Sequence, residues 1–514
     1  MNRYILLPYL IYGLGLIVAL QPSYIHPDEH FQSLEILVQK FWHIKGTIPW
    51  EFTPTDAARS YVPLYLTYGP LFSLLRYVLH VNNPMWILYC ARVQNLILYI
   101  ITFKWSLPYL VPNCESSLDI SSKAELLMMT SYVTWSYQTH TFSNSIETNL
   151  LLIVLSLLQI LLSKMSEKKN YSQVRVSLLL GGLISLGIFN RMTFPAFIML
   201  PFLKLFFRFY RHKSHWSSFL VLSLSILLTT SLCILLDTAI YESNEWVITP
   251  WNNLKYNFDI SNLESHGLHP WYTHILVNLP QLLGPMIIFL PLILLKTSTT
   301  IPTLSIMSSM VTLSYFKHQE FRFLTPLVPL LLIQLAACIP NSIQQSSFKR
   351  SVIRLLWVLF NIIFAVIVGV FHQSGVIQSL SNFSSPSTLE PITTHLWWKT
   401  YSPPTWLYMN SNLTVSTLAD KSLIEFETTT DHVVDLQGCD LTTLELIMWD
   451  FLKHTDQVKL FVPKSVVKQL NPLMPIFKFD ETMFVGSHLD LDHLEFGDWD
   501  TFSVGLFVYN VSLL

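Results

Sequence analysis

Long apolar segments recur through the first 371 residues, and they constrain the fold more than any other feature. They lie at residues 4–20, 61–81, 84–106, 122–139, 145–164, 175–190, 192–208, 217–240, 274–296, 299–316, 322–340 and 352–371. A helix of about 20 apolar residues crosses a bilayer. Only 12% of the residues are charged, against about 25% in soluble proteins. The sequence therefore predicts an α-helical polytopic membrane protein, and the net charge of −2 excludes a basic nucleic-acid-binding surface as its main feature.

Basic residues orient these segments. They cluster at residues 164–175, at 204–213, at Lys296 and at 349–354, and positive loops favour the cytosolic side. The alternate loops, at 21–60, 190–192, 241–273 and 317–321, are then lumenal. From a lumenal residue 60 to a cytosolic residue 164 the chain needs an odd number of crossings, but four apolar segments lie between them. We therefore expect that the weakest segment, 122–139, is broken or re-entrant on the lumenal side. We expect about 11 crossings, a cytosolic N-terminus and a lumenal C-terminus.

The last 143 residues differ from the rest, because they alternate strand patterns at 458–462 and 502–509 with a helical pattern at 441–453. Three glycosylation sequons, at Asn382, Asn412 and Asn510, fall in this part. We therefore expect two domains. The first is a multi-pass domain at 1–371, with a catalytic lumenal loop at 21–60, and the second is a small lumenal α/β domain at 372–514.

A charged motif, His-Pro-Asp-Glu-His at residues 26–30, follows the first apolar segment directly. Ionisable groups at a membrane boundary are costly to bury and are often functional. A carboxylate placed there can serve as a general base. Asp28 and Glu29 are both candidates for a catalytic residue, and the spacing does not decide between them.

The same motif has structural alternatives. Asp28 or Glu29 could cap a helix that begins near His30, since acidic residues suit the first turn of a helix. His26 and His30 are four residues apart, which suits a metal site. The sequence fixes no third ligand, so we expect no metal and no cofactor.

Four further polar islands interrupt the apolar segments, at residues 141–148, 190–195, 253–274 and 317–323. The predicted topology places them on the lumenal side with the first motif. Three basic side chains among them can hold a phosphate: His318, Arg322 and Arg191. We expect other side chains of the motif and the islands to contact substrate, namely His26, His30, Asn144, Glu147, His269, Trp271 and Glu320.

Each island also has a structural alternative. His318 and Arg322 could extend from a helix end towards the membrane surface, Arg191 could be structural, and residues 143–147 could form a polar hairpin. Taken together, a base and a phosphate-binding group at a membrane surface indicate transfer from a lipid-linked phosphate donor. A transporter with charged residues along its path and a non-catalytic subunit are the alternatives from other classes.

The motif at 26–32 and the segment 318–324, His-Gln-Glu-Phe-Arg-Phe-Leu, resemble a family of endoplasmic-reticulum mannosyltransferases of the GT-C class, glycosyltransferase family 22. Residues 141–148 and 266–272 resemble its weaker motifs, so the resemblance spans about residues 1–340. Many members carry Lys where this chain has Gln319. Together with residues 189–195, that difference makes the chain most similar to members that add a fourth, side-branching mannose to the glycosylphosphatidylinositol (GPI) core.

The resemblance implies an inverting α1,2-mannosyl transfer in the endoplasmic reticulum membrane. Dolichyl phosphate mannose is the implied donor and a trimannosyl GPI precursor the implied acceptor, with membrane lipids as neighbours. Asp28 is the implied base, Glu29 shares its task or orients the acceptor, and His318 and Arg322 stabilise the leaving phosphate. Transfer to another GPI mannose or to the lipid-linked N-glycan precursor is the alternative within the family.

Overall fold

The structure is a computed structural model that describes residues 3–112, 117–164, 171–258, 267–339, 347–384, 392–418, 424–427 and 429–514. The chain forms two compact units that interleave along the sequence. The helical unit comprises Met1–Leu16, Pro49–Tyr68 and Val93–Ile363, and the sheet unit comprises Ile17–Ile48, Gly69–Arg92 and Phe364–Leu514. The predicted division into domains at residue 371 stays a prediction.

The apolar segments form helices close to the predicted positions, because their uninterrupted apolar residues favour a helix that satisfies its own backbone hydrogen bonds. The α-helices of 7 or more residues are Arg3–Ala19, Glu35–Trp42, Tyr61–Ser73, Pro84–Leu110, Ser117–Met129, Ser143–Ser163, Tyr171–Asn190, Phe194–Leu205, Trp216–Ile240, Thr249–Phe258, Leu290–Lys296, Ile301–Tyr315, Val328–Cys338, Ser347–Val366, Ser374–Asn382 and Leu441–Leu452. Short α-helices at Tyr132–Trp135 and Leu279–Leu283 and several π-helical and 3₁₀ turns connect or extend them.

Seven helical stretches in the described part of the chain are long and apolar enough to cross a membrane. They are Pro84–Leu110, Ser143–Ser163, Ser172–Asn190, Lys213–Ile240, His274–Lys296, Phe321–Cys338 and Phe348–Phe371, and Tyr9–Ala19 is a shorter apolar helix. The segment at 122–139 is broken, as predicted, because its helix ends at Met129 and a separate turn of helix begins at Tyr132. The expected number of about 11 crossings counts shorter apolar helices as well and stays a prediction.

Close helix packing holds the helical unit together. Tyr171–Asn190 packs along Trp216–Ile240, and a Cβ atom on Gly181 would lie 2.6 Å from the carbonyl oxygen of Leu222. Only glycine permits this approach, since any side chain would force the helices apart.

The sheet unit contains a six-stranded sheet in the order β2-β3-β1-β4-β6-β5. The strands are β1 (Thr394–Trp397), β2 (Leu413–Thr417), β3 (Asp431–Asp435), β4 (Val458–Pro463), β5 (Phe477–Val485) and β6 (Leu506–Leu513). The first four are parallel, and β6 runs antiparallel to both β4 and β5. The predicted strand at 458–462 is present, but the one at 502–509 begins only at Leu506, because Trp499–Phe502 forms a 3₁₀ turn.

The core of the sheet unit lies between these strands and the helix Leu441–Leu452. That helix buries Leu444, Ile447, Met448 and Phe451, whose spacing of three and four residues places them on one face. They pack on Leu396 of β1 and on residues of the neighbouring strands. A sheet covered in this way supports the loops at the ends of its strands.

Candidate active site

The motif at 26–30 lies in the sheet unit, between the first helix and a π-helical turn at His30–Leu34. The side chain of Asp28 is 21% exposed. Its Oδ2 accepts a hydrogen bond from the amide of Gln32, and its Oδ1 lies 3.5 Å from Nδ1 of His26. The same Nδ1 is 3.2 Å from the backbone nitrogen of Asp28. Asp28 is therefore a held but accessible carboxylate.

Glu29 has the opposite environment, since its side chain is fully buried. Arg92, also fully buried, donates to Oε1 of Glu29 from Nε at 3.1 Å and from Nη2 at 2.7 Å. Arg92 further donates to the carbonyl oxygens of Ser23, at 2.7 Å, and of Gln21. A single guanidinium thus ties Glu29 to the loop before the motif. Glu29 makes no side-chain capping bond to the turn that follows it, so capping by this residue is not observed.

The pattern from Phe31 to Trp42 predicts an amphipathic helix that would lie on the membrane surface. This expectation is wrong, because the structure encloses the helix within the sheet unit. Gln32, Ser33 and Glu35 are buried along with its apolar residues, whereas a surface helix would keep its polar face in water. His30 accepts a hydrogen bond on Nδ1 from Nε1 of Trp406 at 3.1 Å. The polar face therefore binds protein groups that come from much later in the chain.

Glu35 is the centre of a second buried cluster in this unit. Its Oε1 accepts hydrogen bonds from the hydroxyl of Thr405 at 2.5 Å and from the backbone nitrogens of Thr47 and Trp406, both at 3.1 Å. Burial raises the pKa of Glu35 to about 7, although these donors act to lower it. The cluster fastens the helix Glu35–Trp42 to the segment that follows β1.

In the helical unit, Asn144, Glu147 and Arg191 form one cluster. Nε of Arg191 lies 3.2 Å from Oε2 of Glu147, and the hydroxyl of Thr193 donates to Oε1 at 3.0 Å. Nη1 of Arg191 also donates to the hydroxyl of Ser143 at 2.8 Å. Asn144 is at the edge of hydrogen-bonding distance from Glu147, at 3.5 Å. Glu147 is therefore the partner that holds the guanidinium of Arg191 in place.

A second cluster of the helical unit comprises His318, Glu320 and Arg322. Nε2 of His318 lies 2.7 Å from Oε1 of Glu320, and Nε of Arg322 donates to the other carboxylate oxygen. Burial alone would lower the pKa of His318, but the hydrogen bond to Glu320 and the charge of Glu320 outweigh burial and raise it. One carboxylate therefore holds two basic groups, which leaves a surplus positive charge when His318 is protonated.

The two clusters of the helical unit share an aromatic neighbour. The guanidinium carbons of Arg191 and Arg322 lie 5.3 Å and 5.5 Å from the ring centre of Phe323. His269 joins the second cluster, since its ring centre is 6.2 Å from that of His318. Gln319 is buried, and its amide oxygen accepts a hydrogen bond from the backbone nitrogen of His274 at 3.0 Å. The islands at 141–148, 190–195 and 317–323 thus assemble around Phe323.

The predicted site residues separate by unit. His26, Asp28, Glu29 and His30 lie together in the sheet unit, and Asn144, Glu147, Arg191, His269, His318, Glu320 and Arg322 lie in the helical unit. Trp271 does not join them: it is 68% exposed, and its ring contacts Tyr272. His266 of the motif at 266–272 and residues 165–170 of the first basic cluster lie outside the described residues.

Sequence reasoning missed Arg92 and Glu35. Arg92 carried a signal, because a charged residue within an apolar membrane segment is costly unless it has a partner. Glu35 had none beyond its place in an amphipathic helix. A metal site at His26 and His30 would need a third ligand. The described residues contain no group of three His, Cys, Asp or Glu side chains that could hold an ion.

Comparison with known families and relatives gives a consistent result. The model of the Alg9-like mannosyltransferase family matches residues 6–410. The chain is 45% identical to GPI mannosyltransferase 4 of Saccharomyces cerevisiae over 100% of both chains. It is 43% identical to the protein of that name from Candida glabrata, covering 98% of this chain and 99% of the relative, and 36% identical to the one from Candida albicans, covering 96% of each.

Solved structures share the fold at low sequence identity. The crystal structure of ArnT from Cupriavidus metallidurans bound to undecaprenyl phosphate has a TM-score of 0.58 and 10% identity, covering 99% of this chain and 98% of that one. The apo structure of the same protein has a TM-score of 0.54. The predicted fold class, an α-helical polytopic membrane protein of GT-C type with a small α/β domain near its C-terminus, is confirmed.

Proposed function

We propose that this chain, which belongs to the Alg9-like mannosyltransferase family, transfers the fourth mannose from dolichyl phosphate mannose to a trimannosyl GPI precursor. As a member of that family it is a glycosyltransferase and a multi-pass membrane protein. The observation that supports the acceptor is the full-length likeness to fungal proteins named GPI mannosyltransferase 4. The resemblance at Gln319, where many family members carry Lys, agrees with that acceptor.

Asp28 is the proposed base of the reaction. The acceptor hydroxyl oxygen attacks the anomeric carbon of the donor, the bond from that carbon to the phosphate oxygen breaks, and the bonding electron pair leaves with the phosphate. The hydroxyl proton passes to a carboxylate. Asp28 suits this task because it is accessible and held by Gln32 and His26. One displacement inverts the anomeric configuration and yields an α-linked mannose.

Glu29 is proposed to position the base rather than to act as one. Its carboxylate is buried and bound by two N–H groups of Arg92, so it has no route to an acceptor hydroxyl. Because Arg92 also holds the carbonyls of Gln21 and Ser23, the pair fixes the loop on the N-terminal side of Asp28. Such support limits the movement of a catalytic side chain.

The cluster of His318, Glu320 and Arg322 is proposed to stabilise the phosphate that leaves. Charge on the leaving oxygen grows in the transition state, and fixed positive groups stabilise it there. The raised pKa of His318 favours its protonated form, and Arg322 supplies a permanent charge. Arg191, which Glu147 balances, contributes less to this task. The remaining predicted contacts, His26, His30, Asn144, Glu147, His269, Trp271 and Glu320, stay proposals as substrate-binding residues.

The proposed compartment is the endoplasmic reticulum membrane, with the N-terminus in the cytosol and the site and C-terminus in the lumen. The basic clusters at 204–213 and 349–354 support this orientation. Tagging either end of the chain and testing protease access in sealed microsomes distinguishes it from the reverse orientation.

The proposed function is tested in microsomes that lack the endogenous enzyme. Labelled dolichyl phosphate mannose is supplied with a trimannosyl GPI precursor or, separately, with a lipid-linked N-glycan precursor, and membranes without the chain are the control. We expect a tetramannosyl GPI product whose last mannose an α1,2-specific mannosidase removes. Elongation of the N-glycan precursor alone would contradict the proposed acceptor, and no transfer to either acceptor would contradict the proposed activity.

A further inference from the structure

The carboxyl edge of the parallel strands lies beside the loop that carries Asp28. Strands β1, β3 and β4 are parallel neighbours, so their carboxyl ends meet at one edge of the sheet. After β1 the chain continues to β2, which lies beyond β3 on one side of β1. After β4 the chain continues to β5 and β6, which lie on the opposite side of the sheet. In open α/β sheets, ligands bind outside the carboxyl ends of the strands where the connections of adjacent strands diverge, which here is between β1 and β4.

Two residues at this edge hold an unfavourable backbone conformation. Lys399, after β1, has φ of 54°, and Gln437, after β3, has φ of 50°. The backbone nitrogen of Lys399 donates to the carbonyl of Gln437 at 2.7 Å, which joins the two loops. Non-glycine residues in the left-handed region are uncommon and concentrate at functional sites. The two loops are therefore held in one defined arrangement.

Tyr401 links this edge to the catalytic motif. Its ring centre lies 6.5 Å from that of His26, 5.4 Å from that of Tyr24 and 5.5 Å from that of His372. The hydroxyl of Tyr24 donates to the carbonyl of Ser402 at 2.9 Å. Since His26 contacts the carboxylate of Asp28, one ring separates Tyr401 from the proposed base. All of these residues belong to the sheet unit.

The chemistry of the edge suits a sugar rather than a lipid tail. Lys399, Thr400 and Tyr401 are half-buried, and Gln437 is exposed, whereas the large apolar side chain of Trp398 is buried. In the described segments 397–402 and 435–439, no large hydrophobic side chain is exposed. The ammonium of Lys399 donates to the amide oxygen of Gln469 at 2.7 Å, which brings a further amide to the edge. Amide and ammonium groups bind hydroxyls, and a half-exposed aromatic ring offers a face for stacking.

We propose that this edge, with Tyr401, Lys399 and Gln437, binds the glycan of the lipid-linked acceptor next to the mannose that receives the new bond. The proposal rests on the proposed function, because a base at Asp28 must face the acceptor hydroxyl and not the donor phosphate. Tyr401 stacks on a mannose residue, and Lys399 and Gln437 bind its hydroxyls. The sheet thereby contributes to the choice of acceptor.

Steady-state transfer to a trimannosyl GPI precursor tests this assignment, with both substrates varied in turn. We expect Tyr401→Ala to raise the KM for the acceptor about tenfold, which is the loss of about 1.4 kcal/mol of binding, while the KM for dolichyl phosphate mannose stays unchanged. Tyr401→Phe keeps the ring and retains an acceptor KM close to that of the wild type. Lys399→Ala combined with Gln437→Ala raises the acceptor KM about threefold.

Trp499→Ala is the matched control, since it removes an exposed aromatic side chain from another part of the sheet unit. An unchanged acceptor KM in Tyr401→Ala, or an equal rise in both KM values, would overturn the proposal. If Tyr401→Ala fails to accumulate, the variants at Lys399 and Gln437 decide the question. If the wild-type protein transfers no mannose, the proposed function itself is contradicted. If the wild-type protein elongates another glycan instead, the same variants are compared with that glycan as the acceptor.

Discussion

The motif at 26–30 in the sheet unit and the segment 317–323 in the helical unit balance their charges in opposite ways. In the first, one guanidinium, Arg92, pairs with the buried Glu29, and the partly exposed Asp28 contacts His26 and Gln32. In the second, one carboxylate, Glu320, is shared by two basic groups, His318 and Arg322. The first region thus has two carboxylates beside one guanidinium, and the second has two basic groups beside one carboxylate. A transfer that removes a proton and releases a phosphate requires both a carboxylate and a basic group.

Loss of the buried cation should have the largest effect on the first region. Arg92→Met leaves the carboxylate of Glu29 buried without its main partner, which costs about 3–5 kcal/mol. We expect a large fall in the thermal unfolding temperature of the detergent-solubilised protein, and a smaller one in Arg92→Met combined with Glu29→Gln. Arg76→Met is the control, because the hydrogen bond from Arg76 to Asn82 is exposed. An Arg92→Met protein as stable as the wild type would show that the pair does not hold the loop.

Removal of the shared carboxylate of Glu320 should reduce turnover, because it changes the pH range in which His318 is protonated. The hydrogen bond and charge of Glu320 raise the pKa of His318, so Glu320→Gln lowers it. If protonated His318 stabilises the leaving phosphate, turnover is lost as the pH rises through this pKa. The alkaline limb of the turnover profile should then move to lower pH in the variant, and turnover at neutral pH should fall about tenfold or more.

Asp119→Asn is the control for this profile, since Asp119 is exposed and pairs with the neighbouring Lys123. The measurement is the rate of labelled mannose transfer across pH at saturating concentrations of both substrates. An alkaline limb that does not move in Glu320→Gln would separate His318 from the phosphate and weaken the contrast between the two regions.

Substitution of Glu35 should have the smallest effect. It tests how a buried carboxylate with neutral hydrogen-bond partners changes the stability of the protein with pH. Burial raises its pKa from 4.5 to about 7, so the folded state holds this proton more tightly than the unfolded state. Its contribution to stability is fully present below about pH 4.5 and is lost as the pH rises to about 7. Glu35→Gln should remove this decline and leave the protein more stable than the wild type by about 1–3 kcal/mol at pH 8. Thermal unfolding at pH 5 and pH 8 measures it, and an identical decline in the variant would assign the proton elsewhere.

The sequence was sufficient to predict the helices, because they depend on local patterns. The apolar segment 145–164 became the helix Ser143–Ser163, and the charged motif after the first segment drew attention to Asp28. The enclosure of the helix Glu35–Trp42 could not be predicted. It depends on Thr405 and Trp406, which lie about 370 residues later in the chain and carry no signal for this pairing.

The different environments of Asp28 and Glu29 were also beyond the sequence. Adjacent carboxylates are equivalent in composition, and only the direction of each side chain separates the partly exposed one from the one bound to Arg92. The surroundings of Trp271 were likewise beyond the sequence, since its ring is largely exposed and contacts Tyr272. Its contact with substrate stays a prediction.

Chemical rescue of Asp28→Gly tests the central claim most directly. The variant removes the proposed base and leaves a space that a small carboxylate such as formate can enter. We predict that turnover falls by about 10²-fold or more and that formate restores part of it in a concentration-dependent way, while Glu29→Gly gains nothing from formate. A folded Asp28→Gly protein that keeps its turnover, or a Glu29→Gly protein that formate rescues instead, would contradict the assignment of Asp28 as the base.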